Sequence, residues 1–475
     1  MADVDGDSRP EIAVTSDNIG DITRQRYDPL NVNEVALIGW RNGKVDMLRG
    51  WPRHTRDATL GLAMADLDGD GRAEILAACG QDIAPAAMRA TGTWLVSRLY
   101  VWSGDGSAVA PWYPVNEDTW QGLAYGHAYA APLITDLNGD GRLEVLHASQ
   151  GVWEGDAFQN GSLRLYSASG ALLARTQTDF AALPWYALKG FAMDSPAVIA
   201  DLNGDGRHEV VAATYDGHLY AWTAVGSPIR GWFPADRAST ELPKGTLIRG
   251  GIAAADINGD GRDEVIAGGY DGALYCWSGS GRLLWRTVCG KAPLTSGVAV
   301  GRLRRGTGEV DAVAGDAAGV LTVCNPNGAI RWRFAATPGS GIFAEPAIGD
   351  VNGDGTQDVV VGGTDGYVYA LDGESGTLLW QVPTCAAPTQ EGMRFESIFG
   401  APALCDLRGN GHLNVVIATG QRYIADVPSH TWKGFGHVII LDCGPGTYNA
   451  TKIDWPQYRE NAGRTGHLAP PGDPR

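Results

Sequence analysis

Aspartate, asparagine and glutamate side chains recur in this chain at a spacing that suits a hard metal ion. The strings "DLNGDGRLEV" at 136–145, "DLNGDGRHEV" at 201–210 and "DINGDGRDEV" at 256–265 place side-chain oxygens at the first, third, fifth and ninth positions of a short loop. Glycines at the fourth and sixth positions permit the positive φ angles that wrap a chain around an ion. Without a cation, carboxylates this close would repel one another. The pattern predicts a calcium loop.

The pattern D-x-[DN]-G-D-[GS]-x-x-[DE] occurs in six intact copies, so we expect about six Ca²⁺ sites. Two further copies, "GRLRRGTGEV" at 301 and "DLRGNGHLN" at 406, have lost most of the acids. The alternative is a series of Asp-Gly turns without metal, and the number of in-register copies argues against it. The predicted ligands are Asp3, Asp5, Asp7, Glu11, Asp66, Asp68, Asp70, Glu74, Asp136, Asn138, Asp140, Glu144, Asp201, Asn203, Asp205, Glu209, Asp256, Asn258, Asp260, Glu264, Asp350, Asn352, Asp354 and Asp358.

The net charge of the chain follows from these loops. The formal charge is −17, and the predicted ligands of the six loops include 20 acidic side chains. Six Ca²⁺ ions would bring the charge to about −5, because each ion adds two positive charges. The acidity therefore belongs to the ion sites and does not indicate a cationic partner. It also argues against nucleic acid as a partner.

The sequence around the loops predicts an all-β protein. The chain has 475 residues, of which 44% are hydrophobic, and its 66 glycines and 25 prolines separate short runs rich in Val, Ile, Leu, Tyr and Trp. We find no long stretch with the apolar spacing of a helix, and no apolar run approaches the ~18 residues that cross a membrane. Each loop lies between two apolar runs, and two more runs complete the unit. Four short antiparallel strands per repeat are typical of a β-propeller blade.

The repeats predict one propeller domain over residues 1–455, with units that start near 3, 66, 136, 201, 256, 301, 350 and 406. Eight blades are favoured, and seven are the alternative. The first unit lacks its entering strand, because Asp3 already lies in the loop. Either that strand is missing or the segment after Trp455 completes the blade. Residues 456–475 are predicted to form a C-terminal closing segment or tail.

The repeats resemble the FG-GAP/VCBS repeats of integrin α-subunit propellers, bacterial surface proteins, and some fungal lectins and polysaccharide lyases. The resemblance covers almost the whole chain and includes "FGAPAL" at 399. It implies calcium loops between the first and second strands of each blade. A second resemblance is partial: "YALDGESGTLLW" (369–380) is similar to the tryptophan-docking repeat of quinoprotein propellers, and "WPQYRENAGRTG" (455–466) to a segment that flanks bacterial propellers. Only one docking copy is complete, and no adjacent cysteine pair indicates quinone binding.

A ligand is expected on the face opposite the calcium loops, because loops on a rigid scaffold usually carry function. Long insertions start near 16, 79, 149 and 420, and aromatic residues beside arginines and carboxylates suit a sugar or peptide. The predicted ligand-binding residues are Arg24, Arg26, Tyr27, Trp153, Glu154, Asp194, Glu345, Glu396, Tyr423, His430 and Trp432. The alternative is that these insertions are only tolerated and that their tryptophans cover blade edges.

The favoured function is a calcium-stabilised propeller that binds a carbohydrate or an extracellular protein without chemistry, outside the cell, on its surface or in the periplasm. Neither a GxSxG nor an HExxH motif is present. The enzymatic alternative is a polysaccharide lyase or another glycoside-cleaving enzyme, since β-elimination needs a cation for the uronate and a group that moves protons. Its candidate residues are Tyr125, His127, Lys189, Arg249 and Arg394. A structural module of a larger surface protein is the third possibility.

Two further features bound the interpretation. The seven cysteines lack CxxC spacing, so buried thiols are expected rather than a disulfide framework or a metal cluster. The N-terminal stretch "MADVDGDSRP" is acidic and shows no export signal. The chain is expected to act as a monomer or as part of a larger surface protein.

Overall fold

The structure of the chain is a computed structural model. It describes residues 1–16, 33–55, 58–80, 98–110, 112, 115–116, 131–149, 153–154, 157–158, 162–175, 196–213, 218–232, 246–248, 250–384, 397–420, 437–445, 447–449, 453–457, 459–461, 464 and 467–468. The chain divides into two compact units. The first comprises Met1–Pro196, Ala425–Gly434 and Ala462–Arg464, and the second comprises Ala197–Ile424, Phe435–Asn461 and Thr465–Arg475.

The described part of the first unit is built from short strands. They are β1 (Ile12–Ser16), β2 (Asn33–Arg41), β3 (Lys44–Met47), β4 (Arg53–Thr55), β5 (Ala58–Ala65), β6 (Glu74–Gly80), β7 (Arg98–Trp102), β8 (Val115–Asn116), β9 (Leu133–Thr135), β10 (Glu144–Ser149), β11 (Trp153–Glu154), β12 (Ala157–Phe158), β13 (Ser162–Ser167) and β14 (Leu172–Arg175). They form three sheets, β1–β4, β5–β8 and β9-β10-β13-β14, together with the short hairpin β11–β12.

The second unit continues the same pattern. Its strands are β15 (Val198–Ala200), β16 (Glu209–Ala213), β17 (Leu219–Trp222), β18 (Ala253–Ala255), β19 (Glu264–Gly268), β20 (Ala273–Trp277), β21 (Leu283–Val288), β22 (Ala299–Gly301), β23 (Asp311–Gly315), β24 (Val320–Cys324), β25 (Ile330–Ala335), β26 (Ala347–Gly349), β27 (Asp358–Gly362), β28 (Tyr367–Leu371), β29 (Leu378–Pro383), β30 (Ala403–Cys405), β31 (His412–Ala418) and β32 (Val438–Pro445). They form five sheets, β15–β17, β18–β21, β22–β25, β26–β29 and β30–β32.

Except for β4, which pairs with β2, the strands of these sheets pair side by side in the antiparallel meander order of a propeller blade. Three such sheets in the first unit and five in the second give eight blades among the described residues. The predicted all-β propeller fold with eight blades is therefore confirmed. The described part of the chain contains no helix that is long and apolar enough to span a membrane.

The first sheet differs from the others at its entering edge. Its path starts at β1, and both β3 and β4 pair with β2. Before β1, the described residues contribute only an isolated bridge between Ala2 and Glu11. In the first sheet, this single residue pair thus occupies the position of the first strand of the other sheets.

The burial of the strands explains their composition. First strands such as β18, with the sequence AAA, are short and buried, and second strands such as β19 are buried along their whole length. The last strands, such as β21, alternate between exposed and half-buried residues. Buried side chains of one sheet pack on those of the next, as Val211 and Ala221 do with Val265 and Tyr275 in one core cluster. The core therefore lies between consecutive sheets, where small residues allow close approach.

Tryptophans connect consecutive sheets in both units. The indole Nε1 atoms donate hydrogen bonds of 2.8–3.0 Å to backbone carbonyls in the strand-connecting turns of the next sheet. The pairs are Trp51 with Gly104, Trp112 with Ala168, Trp232 with Gly279, Trp285 with Pro326, and Trp332 with Gly373. The sequence showed only one complete docking repeat. Among the described residues, five tryptophans make such a contact, and in one of these the accepting residue, Gly373, lies within that repeat.

The C-terminal segment is part of the second unit's core. Trp455 is fully buried and exchanges two backbone hydrogen bonds with Ile348 of β26, and Pro456 accepts one from Leu404 of β30. Further along, Leu468 donates to Ala254 of β18. The segment therefore runs along first strands of several blades. It is a structural element of this unit rather than a loose tail.

Candidate metal centres in the loops between first and second strands

Five of the six intact repeat loops connect the first strand of a sheet to the second, and the loop at Asp3 follows the bridge at Ala2. In the sheet β18–β21, Asp256 follows the last residue of β18, and Glu264 is the first residue of β19. A strand pair with the register Ala255 to Glu264 brings the two ends of the loop together. The loop is thus held at both ends by the ladder, which fixes the first and ninth side chains close to each other.

The first aspartate organises the loop backbone. Asp256 Oδ1 accepts hydrogen bonds from the backbone N–H groups of Gly259 (2.7 Å) and Asp260 (3.1 Å), and Oδ2 accepts one from Gly261 (2.9 Å). Asp260 Oδ1 accepts a further one from Arg262 at 3.0 Å. Aspartate is required because its two oxygens accept from several successive donors. The same pattern around the first acid recurs in the loops that begin at Asp66, Asp136, Asp201 and Asp350.

The glycines of the loops have the backbone conformation that the sequence predicts. In the loop that begins at Asp256, φ is +77° at Gly259 and +82° at Gly261. Side chains rarely tolerate these angles, so the glycines are required by the turn itself. In the first loop the sixth position is Ser8, which adopts a φ of +65°.

The ninth-position acids are buried beneath the loops. Glu11, Glu74, Glu144, Glu209, Glu264 and Asp358 are all at most 5% exposed. In five of the loops, a carboxylate oxygen of this acid accepts a hydrogen bond from the backbone N–H of the second loop residue, as Glu74 does from Leu67 at 2.8 Å. That second residue is itself buried and apolar. The acid is therefore positioned by the core of the sheet, with its charge facing the other acids of its loop.

Burial makes these carboxyl groups hard to ionise. It raises the pKa of Glu264 to about 8, and the negative charges of Asp260 and Asp256 raise it further. Burial likewise raises the pKa of Glu74 and of Asp358 to about 7, with contributions from the aspartates of the same loops. A cation between these acids would reverse the effect, because it would favour the ionised form.

The loop at Asp66 brings three carboxylate oxygens close together. One oxygen each of Asp66, Asp68 and Asp70 lie within 4.8 Å of one another. An ion with Ca–O distances of about 2.3–2.6 Å can touch oxygens at such separations. All four predicted side chains of every intact loop carry oxygen, which is the ligand that calcium prefers. No nitrogen or sulfur ligand is among them, which disfavours zinc or copper.

A basic side chain from β2 lies among the acids of the first loop. Arg41, the last residue of β2, contacts Asp5 through Nη2, Asp7 through Nη1 at 2.9 Å and Glu11 through Nη2 at 3.0 Å. The loop backbone keeps the common pattern, since Asp3 Oδ1 accepts from Gly6 and Oδ2 from Ser8, each at 2.8 Å. Sequence analysis missed Arg41 because it lies 34 residues from Asp7.

The two decayed loops also contain basic side chains. At 301, Glu309 holds the ninth position of the sequence pattern, but the acid that opens β23 is Asp311, which is fully buried. Arg331 contacts Asp311 at 2.8 Å, and Arg304 lies 3.6 Å from it. The acid was missed because this loop is longer than the others by one residue before the second strand.

In the loop at 406, an amide replaces the ninth acid. Asn414 is fully buried, and its Oδ1 accepts the backbone N–H of Leu407 at 3.1 Å. Arg408 contacts Asp442 of β32 at 2.9 Å, and His412 lies 3.0 Å from the same carboxylate. The first acid, Asp406, still accepts from Gly411 at 2.7 Å. The loop thus keeps its shape without the buried charge.

Most of the predicted ligand-binding residues lie outside the described part of the chain. These are Arg24, Arg26, Tyr27, Asp194, Glu396, Tyr423, His430 and Trp432, and the same holds for the lyase candidates Tyr125, His127, Lys189, Arg249 and Arg394. Trp153 and Glu154 form β11, which pairs with β12. The binding site that they were predicted to form remains a prediction.

Glu345 is described, and its contacts are structural. It is 2% exposed, and its Oε1 accepts hydrogen bonds from Trp455 Nε1 at 2.8 Å and from the Arg459 backbone N–H at 2.7 Å. Arg459 is itself fully buried and donates to the carbonyls of Ile252 and Ala197. Sequence analysis placed Glu345 in a ligand site and did not foresee that it holds the C-terminal segment.

The sequence of the chain matches a known protein family. A family model described as outer membrane protein assembly factor BamB matches residues 159–439, which is more than half of the sequence. The chain belongs to this family. The family match agrees with the propeller architecture, whereas the resemblance to FG-GAP/VCBS repeats has no counterpart in it. No curated protein sequence matches this BamB-family chain at a significant level.

Solved structures share only distant similarity with this BamB-family chain. BamB from Moraxella catarrhalis is 16% identical with a TM-score of 0.47, over 86% of this chain and 95% of that chain. The exotype rhamnogalacturonan lyase YesX is 17% identical with a TM-score of 0.46, over 83% and 80%. Rhamnogalacturonan lyase PL11 from Bacillus licheniformis is 16% identical with a TM-score of 0.45, over 82% and 78%. Similarity at this level carries no functional information.

Proposed function

We propose that this BamB-family chain is a calcium-stabilised propeller scaffold that binds a protein partner outside the cytoplasm. The observation that supports calcium is the repeated burial of an acid beneath two or three further acids, in loops whose backbone is already wrapped around their first aspartate. A divalent cation would offset this repulsion and join the two ends of the loop. Calcium concentrations high enough to fill such sites occur outside the cytoplasm, in agreement with the family's description as an outer membrane assembly factor.

Calcium binding would stabilise the folded chain by mass action, by about 2.7 kcal/mol per site when free calcium exceeds the dissociation constant a hundredfold. We expect elemental analysis of dialysed protein to find several calcium ions per chain. Chelation should lower the melting temperature, and added Ca²⁺ should restore it better than Mg²⁺, which adapts poorly to a flexible loop of many ligands.

A matched pair of variants tests whether the loops are responsible. Asp136→Asn weakens the first ligand of an intact loop, whereas Glu374→Gln removes the same charge from an exposed turn. Only the first should lower the calcium content and the melting temperature in calcium. Absence of bound calcium together with a melting temperature that chelator leaves unchanged would disprove the calcium part of the proposal.

The support for a protein partner is an exposed aromatic pair at the other end of two first strands. Phe343 is 39% exposed and Phe399 is 56% exposed, and their ring centroids lie 5.7 Å apart. Each precedes a first strand, β26 or β30, whose far end leads into the loop at 350 or 406. Exposed aromatics of this kind are enriched at protein interfaces. The description of the family as an assembly factor points to a protein rather than a sugar.

A photo-crosslinking residue at position 399 tests this surface in the native host. We expect it to trap one protein, which mass spectrometry identifies, and a crosslinker at the exposed Val225 should not trap it. The double variant Phe343→Ala, Phe399→Ala should lose binding to that purified protein while keeping its calcium content. Equal crosslinking at both positions, or unchanged binding by the double variant, would contradict the assignment.

The polysaccharide lyase remains a prediction from the sequence, because its candidate residues lie outside the described part of the chain. A rise in ultraviolet absorbance from unsaturated products on acidic polysaccharides, abolished by His127→Ala, would favour it over the scaffold. A binding signal on a glycan array without turnover would favour a carbohydrate ligand instead.

A further inference from the structure

A basic side chain on β2, Arg41, contacts three acids of the first loop. The three carboxylates that Arg41 contacts, Asp5, Asp7 and Glu11, hold the third, fifth and ninth positions of the motif. One oxygen each of Asp3, Asp5 and Glu11 also lie within 4.8 Å of one another. The guanidinium therefore binds the same group of oxygens that a calcium ion would need.

The position of Arg41 is peculiar to the first sheet. The register pairs Ile12 with Ile38, so Arg41 lies on β2 two residues beyond the partner of Glu11. Gly39 leaves room beside the acid, because a Cβ there would stand 2.9 Å from Glu11 Oε1. A long side chain two residues further on can thus reach back over the loop.

The equivalent positions of other sheets carry no base. In each sheet, the equivalent residue lies two positions beyond the strand partner of the ninth acid. The registers Ile75 to Trp102, Glu144 to Ser167 and Val265 to Trp277 give Asp105, Ser169 and Ser280 at this position. Within the described part of the chain, no arginine or lysine forms an ion pair with an acid of the loops at 66, 136, 201, 256 or 350. Among the described residues, those five loops therefore have no basic side chain in the place of a cation.

The loop at 301 shows that this fold uses the same replacement elsewhere. Its buried Asp311 contacts Arg331, and Arg304 contacts Glu309 and approaches Asp311. Here the acids of the first, third and fifth positions are absent from the sequence, and arginines contact the two acids that remain, Glu309 and Asp311. The first loop differs because it still has all four acids, so the sequence alone predicts a calcium site there.

We propose that Arg41 is the resident cation of the first loop, so that the chain binds five calcium ions, in the loops that begin at Asp66, Asp136, Asp201, Asp256 and Asp350. This inference rests on the proposed calcium function. A calcium ion in the first loop would have to displace the guanidinium from three carboxylates. It would also place two further positive charges beside that of the guanidinium. The first sheet is thus held together independently of calcium, whereas the five sheets that contain these loops depend on it.

The experiment counts calcium by elemental analysis after dialysis against buffer with a low calcium concentration. Wild-type protein should retain five ions per chain, and Arg41→Met should retain six, because the first loop then has four acids without a base. Arg142→Met, which removes an exposed arginine from an intact loop, serves as the matched control and should retain five. In chelator, Arg41→Met should melt below wild type, and calcium should remove the difference.

A second pair of variants keeps the test decisive if Arg41→Met does not fold. Asp3→Asn should leave the count at five, whereas Asp136→Asn should lower it to four. A wild-type count of six, an unchanged count of five in folded Arg41→Met, or a lower count in Asp3→Asn would overturn the role of Arg41 while the calcium function stands. A count of zero in every protein would overturn the calcium function itself.

Discussion

The ninth-position acid is the residue on which each loop depends. Glu264 is fully buried, and its nearest charges are the negative ones of Asp260 and Asp256. An ionised carboxylate in such surroundings destabilises the fold unless a cation balances it. The sign of its contribution to stability therefore depends on whether calcium is present.

The variant Glu264→Gln should show this change of sign. In chelator at alkaline pH it should unfold at a higher temperature than wild type, because it removes a buried, repelled charge. In calcium it should unfold at a lower temperature, because a glutamine is a weaker ligand. Thermal unfolding with and without calcium measures both effects. The exposed Glu374→Gln is the control and should show neither, and the same order of stability in both buffers would contradict the argument.

Asp311 offers a pH-dependent test away from the predicted calcium ligands. Burial raises its pKa to about 6, although Arg331 and Arg304 act in the opposite direction. Because the folded pKa lies above the ordinary value of 3.8, the associated stability is fully present below about pH 4 and is lost as the pH rises through about 6. Wild type should therefore lose up to ~3 kcal/mol relative to Asp311→Asn over this range. Urea unfolding of both proteins at several pH values measures the difference, and a constant difference would contradict the prediction.

At the scale of structural elements, the tryptophan contacts connect one sheet to the next. Trp332 donates to the Gly373 carbonyl at 3.0 Å, and its ring lies against the same turn. A Cβ at Gly376 of this turn would stand 2.6 Å from the indole. The glycine is needed both for its φ of +74° and for the space that the ring fills.

Two glycine substitutions separate these requirements. Gly376→Ala should destabilise the protein through backbone strain and through the clash with Trp332. Gly43→Ala has a φ of +79° and nothing within 4 Å of the added Cβ, so it carries the strain alone. We expect Gly376→Ala to cost at least ~1 kcal/mol more, in line with the typical penalty of overpacking. Denaturant unfolding of both variants measures this, and equal losses would show that the indole contact is unimportant.

At the largest scale, the second unit depends on the far end of its own chain. Trp455 is fully buried, pairs with Ile348 of β26 and donates to Glu345. Asp454 accepts hydrogen bonds from the backbone N–H and Nη1 of Arg302 at 2.6 and 2.7 Å. These contacts bring the end of the chain against residues that lie more than a hundred positions earlier in the sequence.

Trp455→Ala should destabilise the second unit by about 3–5 kcal/mol, the usual loss for truncating a buried tryptophan. Urea unfolding followed by fluorescence and circular dichroism measures the change. Tyr448→Ala removes an aromatic ring that is 38% exposed from the preceding stretch, and it should cost much less. A loss below ~1 kcal/mol for Trp455→Ala would show that the segment only covers a core that is stable without it.

The sequence alone determined the all-β repeats and the backbone of the loops, because the groups involved lie close together in the chain. The first aspartate, the positive-φ glycines and the ninth acid of one loop act within nine positions, so their spacing predicts the turn. Only the tertiary structure decided which charges meet and what holds the sheets together. Arg41 reaches Asp7 across 34 positions, and Trp455 reaches Glu345 across 110. No local pattern records such contacts, because they arise only when strands pair and sheets pack, which brings distant parts of the chain side by side.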